Sequence, residues 1–90
     1  MEAEFRDRLE VQFSSLYHAM QSVCSEEEIS EVAHFVDHDE YGIALEAAAD
    51  ILLTRPSVPS QCIQIAEGLA VQMKLLSEPI VVQLLGRRKQ

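Results

Sequence analysis

Apolar positions in this 90-residue chain recur three and four residues apart through most of its length. Phe5, Leu9, Phe13, Leu16, Met20 and Val23 fall within about 90° of one another at about 100° per residue, the stripe of an amphipathic helix. Ser25 followed by Glu28 is an S-x-x-E capping box, so a second helix is expected to begin there. Glu26 and Glu27 suit the positive end of its dipole, and Ile29, Val32, Ala33 and Val36 supply its buried face. A third helix begins within "DHDEYGIALEAAADILL", residues 37–53, with Asp39 or Asp37 expected as its N-cap. Tyr41, Ala44, Leu45, Ala48 and Leu52 share one face of it. The opposite face carries Ile43, Glu46 and Asp50, an isoleucine between carboxylates.

Pro56 biases Arg55 away from helical backbone, and "TRPSVPSQ" therefore reads as a stiff connection. Ser60 is the expected cap of a fourth helix, whose core stripe is Cys62, Ile65, Ala66, Leu69, Ala70, Met73 and Leu76. Ser77, Glu78 and Pro79 mark another start, followed by a short helix over "IVVQLL" that Gly86 closes. Those β-branched residues would also suit a strand, but no second strand pattern is there to pair with it. The expectation is a single all-α domain spanning residues 1–90, with four main helices plus a short C-terminal one.

Composition sharpens this picture through charge. The apolar fraction of 48% is that of a globular chain, and the net charge is −8. Between Arg8 and Arg55 there is no lysine or arginine, yet that interval holds Glu10, Glu26, Glu27, Glu28, Glu31, Asp37, Asp39, Glu40, Glu46 and Asp50. Such a one-sign field favours solubility, steers basic partners and makes nucleic acid a poor ligand. Arg87, Arg88 and Lys89 reverse the sign at the end, a cluster too short to suggest a membrane surface. No apolar run could span a bilayer and the N-terminus is acidic, so a soluble cytoplasmic protein is expected.

Chemistry-bearing arrangements are sparse. Glu31, His34 and His38 lie along one helical face, but this is not HExxH and the sequence indicates no fourth ligand, so no metal is expected. Ser14, Ser15, Cys24 and Cys62 stand outside any nucleophile signature, and the two cysteines lack CxxC spacing. There is no glycine-rich phosphate loop. The residues therefore suggest neither an enzyme nor a cofactor.

"EYGIALEAAADIL" followed by "VPSQCIQIAEGLAVQM" resembles the MafI-type family of small bacterial immunity proteins, partners of polymorphic and contact-dependent toxins. Glu40, Tyr41, Gly42, Ala44, Leu45 and Glu46, then Pro59, Ser60, Ala66, Leu69 and Met73, carry the likeness, which spans residues 39–75. The ending "KLLSEPIVVQLLGRRKQ" departs from the family's aromatic-rich one, and Ala47, Ala48 and Ala49 stand where bulkier residues are usual. The resemblance implies a protein that binds and neutralises a cognate toxin domain, a nuclease being the expected type. Asp37, Asp39, Glu40, Glu46 and Asp50 would then supply charge that takes the place of a phosphate backbone, while Tyr41 and Ile43 would supply contact area. The alternative is a generic acidic helical interaction or dimerisation module. Both monomer and homodimer are compatible with the sequence.

Overall fold

The computed structural model describes residues 3–89, all of whose regular structure is helical: α1 (Ala3–Met20), α2 (Glu26–Asp37), α3 (Tyr41–Leu53), α4 (Ser60–Met73) and α5 (Pro79–Gly86), closed by a 3₁₀ turn at Arg87–Lys89. The helices form two layers. One is the α1–α4 pair; in the other, α3 lies between α2 and α5, and α2, α3 and α5 close onto the first layer across a shared core. Leu75 meets the start of α3 at Gly42 and Arg87 meets its end at Leu53, so α5 runs beside α3 in the same direction.

The core follows the apolar stripes. Leu9, Phe13, Leu16 and Met20 of α1 are fully buried, as are Val32 of α2, Leu45 and Leu52 of α3, Cys62 and Leu69 of α4, and Val81 and Leu84 of α5. The alanines of α3 have a packing reason. This helix is flanked by α2 and α5 and rests on α4, and Ala44, Ala48 and Ala49 let those neighbours approach closely. The "IVVQLL" segment is helical, with Pro79 in its first turn where the missing N–H costs nothing.

Ser25 caps α2 as expected: Glu28 donates its backbone N–H to Ser25 Oγ at 3.1 Å, and Ser25 donates its own to Glu28 Oε1 at 2.9 Å. The expected caps of α3 and α4 are corrected. The N-cap of α3 is Glu40, which makes no side-chain cap bond, and neither Asp37 nor Asp39 takes that place. Asp37 still belongs to α2. Asp39 has φ 60° and closes α2 instead: its N–H reaches Val36 O at 3.0 Å while that of Glu40 reaches Phe35 O at 2.9 Å, a Schellman-type ending. The acids at this junction thus finish one helix rather than start the next. At α4 the N-cap is Pro59 and Ser60 is the first helical residue.

A second left-handed residue, Lys74 at φ 60°, ends α4 one turn earlier than its apolar stripe suggests. Leu75 N–H returns to Ala70 O at 2.8 Å, and Leu76, expected in the core, is turned to solvent. Non-glycine residues pay about 1–2 kcal/mol in this conformation, part of which glycine returns as extra unfolded-chain entropy. Lys74 is exposed and none of the described hydrogen bonds involves its side chain. Lys74→Gly is therefore expected to stabilise the protein by about 0.5–1 kcal/mol, raising the melting temperature by a few degrees in a calorimetric scan. An unchanged or lowered melting temperature would contradict this reading of the turn.

Candidate functional site

The α2–α3 hairpin shares one outer layer of the molecule with α5, and the chain interval that builds it contains no basic residue other than histidine. On α3, Ile43 is 48% exposed, Asp50 is exposed beside it, and Glu46 is half-buried on the flank of the same surface. At the turn, Asp37, Asp39 and Glu40 are all exposed. The structure thus brings six of the seven expected contact residues to the surface of one helical hairpin. Tyr41 is the exception.

Tyr41 is only 3% exposed. As the first residue of α3, it points along the core stripe, where its ring lies 6.2 Å from that of Phe13. Its hydroxyl donates to Glu10 Oε2 at 3.0 Å and lies 3.3 Å from Asp39 Oδ1. It therefore packs the hairpin against α1 and offers no ring surface to a partner.

The expected unpaired acids are not all unpaired. Glu28 is paired with Arg55, whose Nε also donates to Val23 O at 2.7 Å and whose Nη1 lies 2.6 Å from Thr54 Oγ1. Asp39 lies 4.0 Å from Arg6, and Glu10 accepts from Tyr41. Ser25 and Arg55 together hold the Glu28 carboxyl below its ordinary pKa. Arg87 donates to Arg55 O at 3.1 Å and Leu53 O at 2.9 Å, placing its charge at the negative end of α3. Arg88 pairs with Glu67 at 2.7 Å. These arginines of the C-terminal cluster are thus engaged on the protein's own surface, and among the described ion pairs only Glu28 and Asp39 of the hairpin's acids have a cation.

The outer face of α2 enlarges the acidic surface. Glu26, Glu27, Ser30, Glu31 and His34 line one shallow depression. Their i, i+4 and i, i+3 spacing was legible, but helix-start chemistry accounted for Glu26 and Glu27 in the sequence. In the structure Glu28 alone does the reciprocal capping, and Glu26 and Glu27 are exposed.

The His34 and His38 rings lie with centroids 4.4 Å apart and planes tilted by 47°, and His38 Nδ1 donates to His34 O at 2.8 Å. Among the described residues, no three His, Cys, Asp or Glu side chains converge as metal ligands. Burial pushes the Cys62 thiol up to about 11 and, against the opposing pull of Arg55, raises that of Cys24. Both stay protonated at neutral pH, unlike an activated nucleophile. No described helix is long and apolar enough to cross a membrane.

Tyr17 and Tyr41 are both pushed up to about 12. Burial is the main cause in each, followed by the Asp37 and Glu10 charges for Tyr17, and by the hydrogen bond and charge of Glu10 for Tyr41. A phenol that holds its proton more tightly when folded contributes stability that is fully present below the unfolded value near 10. That contribution is lost as pH rises through about 12. Absorbance titration should accordingly show neither tyrosine ionising near 10 in the native state, with unfolding resistance falling between about pH 10 and 12. An ordinary titration of both while the fold persists would contradict the burial of the two phenols and their nearness to the Glu10 charge.

The chain matches no family model, no curated protein and no solved structure.

Proposed function

We propose that the protein is an immunity protein that binds and neutralises a basic toxin domain, of the nuclease type, through the outer face of the α2–α3 hairpin. The observation that carries this reading is the concentration of exposed carboxylates on one hairpin, with no lysine or arginine in that segment and an exposed isoleucine among them. Ten acids lie between Arg8 and Arg55; the described ion pairs engage only Glu28 and Asp39. A nuclease must present cations to a phosphate backbone, and a rigid row of carboxylates can occupy that cleft in its place. The MafI-type resemblance of residues 39–75 points to the same class of partner.

Inhibition in this reading is occlusion. Asp37, Asp39, Glu40 and Asp50 orient the toxin's basic cleft, Glu46 sits where solvent is most readily excluded, and Ile43 provides the apolar contact that slows release. The test is co-purification and inhibition with the toxin domain encoded immediately beside this gene. Association should be fast and should slow steeply as salt is raised, because exposed charges are screened over about 8 Å at physiological ionic strength. A toxin that binds at a salt-independent rate, or a gene with no toxin-like neighbour and no basic partner, would oppose the reading and favour a generic helical module.

A further inference from the structure

The face opposite the acidic hairpin has the reverse character. From Ser60 to Met73, the length of α4, the only charged side chain is Glu67, and it is paired with Arg88. The outward positions of α4 are Ser60, Gln61, Gln64 and Val71, with Val71 55% exposed. Beside them α1 presents Val11, at 67% the most exposed large apolar side chain described, together with Ser14 and Ser15. Shallow grooves run along the α1–α4 seam, one bordered by Val11, Gln12 and Gln72 with Asp7 and Arg8 at its α1 edge, and the next by Ser15, His18, Gln61 and Ile65. Gly68 leaves room for the Gln12 amide, since a Cβ there would lie 3.3 Å from Gln12 Nε2. In a chain that is 24% charged, an α4 surface whose single charge is already paired and which exposes Val71 has the composition of an interface core, and α1 sets Val11 beside it between exposed charges of both signs.

We infer that this face is where two copies of the chain pair about a two-fold axis passing near Val11. Charge selects the occupant. Two molecules of net charge −8 repel, and the α1–α4 layer is the approach that keeps both acidic hairpins on the outside. A basic partner would find little to pair with on α4. The stripe on α1 is also complementary to itself. Glu4, Arg8, Val11, Ser15 and His18 are all exposed and recur in alternating steps of four and three, the spacing of a helix–helix seam. Antiparallel pairing about Val11 sets Val11 against Val11, Glu4 opposite His18, and Arg8 across from the small Ser14 and Ser15. An isologous contact of this kind closes at two copies and leaves two toxin-binding faces free.

The test uses the full chain alone, so it stands or falls separately from the toxin reading. Sedimentation velocity from about 1 µM to about 1 mM should show a concentration-dependent dimer. Val11→Glu combined with Val71→Glu, both at exposed positions, should weaken it at least about 30-fold with an unchanged circular-dichroism spectrum, the loss expected for central anchors. Glu46→Arg with Asp50→Arg should leave it within about two-fold. In a Cys24→Ser, Cys62→Ala background, Val11→Cys should cross-link to itself under mild oxidation, because a two-fold axis brings that position against its own copy, whereas Ile43→Cys should not. A monomer at every concentration, a dimer indifferent to the valine pair, or cross-linking through position 43 in place of 11 would overturn the inference. So would a monomer in which the valine pair instead abolishes toxin binding, which would assign this face to the toxin.

Discussion

Under the proposed function, Glu46→Arg together with Asp50→Arg is expected to weaken binding of the toxin by about 30-fold to a few thousand-fold, the range for charged partners that become desolvated at the centre of an interface. Both lie on the outer side of α3 with Ile43, and Glu46 is already half-buried before any partner arrives. Reversing Glu26 and Glu27 provides the comparison. Those two are exposed at the start of α2 and take no part in the Ser25–Glu28 capping box, so their reversal keeps that reciprocal cap and costs the helix start about 0.3–1 kcal/mol each through its dipole, a loss to be checked by circular dichroism. A rim charge mainly alters the association rate, and their joint reversal should cost less than about five-fold. Ile43→Ala should act on the dissociation rate instead, because it removes contact area and leaves the long-range field unchanged. Stopped-flow association at several salt concentrations separates these effects. If the Glu26 pair proves essential while Glu46 and Asp50 are neutral, the toxin sits on α2. Should neither pair matter, the electrostatic mechanism is lost.

The helices and most of the core were legible because burial follows a 3.6-residue period, and each of α1 to α4 carries that period over at least three turns. What failed to show was the chain's behaviour between helices. Asp39 and Lys74 turn left-handed where glycine would have been the usual signal, and without that signal the ending of α2 looked like the beginning of α3. Tyr41 illustrates a second limit. A tyrosine in an acidic segment suits either a binding surface or a core position, and only the facing groups, Phe13 and Glu10, decide between them. Arg55 and Arg87 were invisible as clasps for a similar reason, since the carbonyls of Val23 and Leu53 that they serve lie over thirty residues away in sequence. The acidic hairpin itself was legible, as a run of acids without cations needs no tertiary information. The charge-poor surface of α4, set beside Val11 of α1, was not, because the two helices lie far apart in sequence.

Phe13→Ala should be the most damaging single substitution within the core, costing about 3–5 kcal/mol. Phe13 is 0% exposed and its ring packs between those of Tyr17, at 6.3 Å, and Tyr41, at 6.2 Å. Truncation leaves a cavity at the junction of α1 with the hairpin, and the neighbouring rings are too constrained to fill it: the Tyr41 hydroxyl is held by Glu10 and Asp39. A chain of this length has a total stability of roughly 5–13 kcal/mol, so the melting temperature should fall by about 15–30 °C and the protein should sit near its unfolding threshold at physiological temperature. Phe13→Leu keeps much of the volume and should cost distinctly less. Ile43→Ala, at an exposed position, should stay within about 0.5 kcal/mol of the parent. The same loss of support should let the Tyr41 phenol titrate closer to its ordinary value in whatever fraction of Phe13→Ala remains folded. Denaturant unfolding followed by circular dichroism measures all three variants on one scale. A Phe13→Ala protein less than about 1 kcal/mol below the parent would mean that the aromatic cluster is not the joint between α1 and α3, and that the acidic hairpin is held in place by its contacts with α4 and α5.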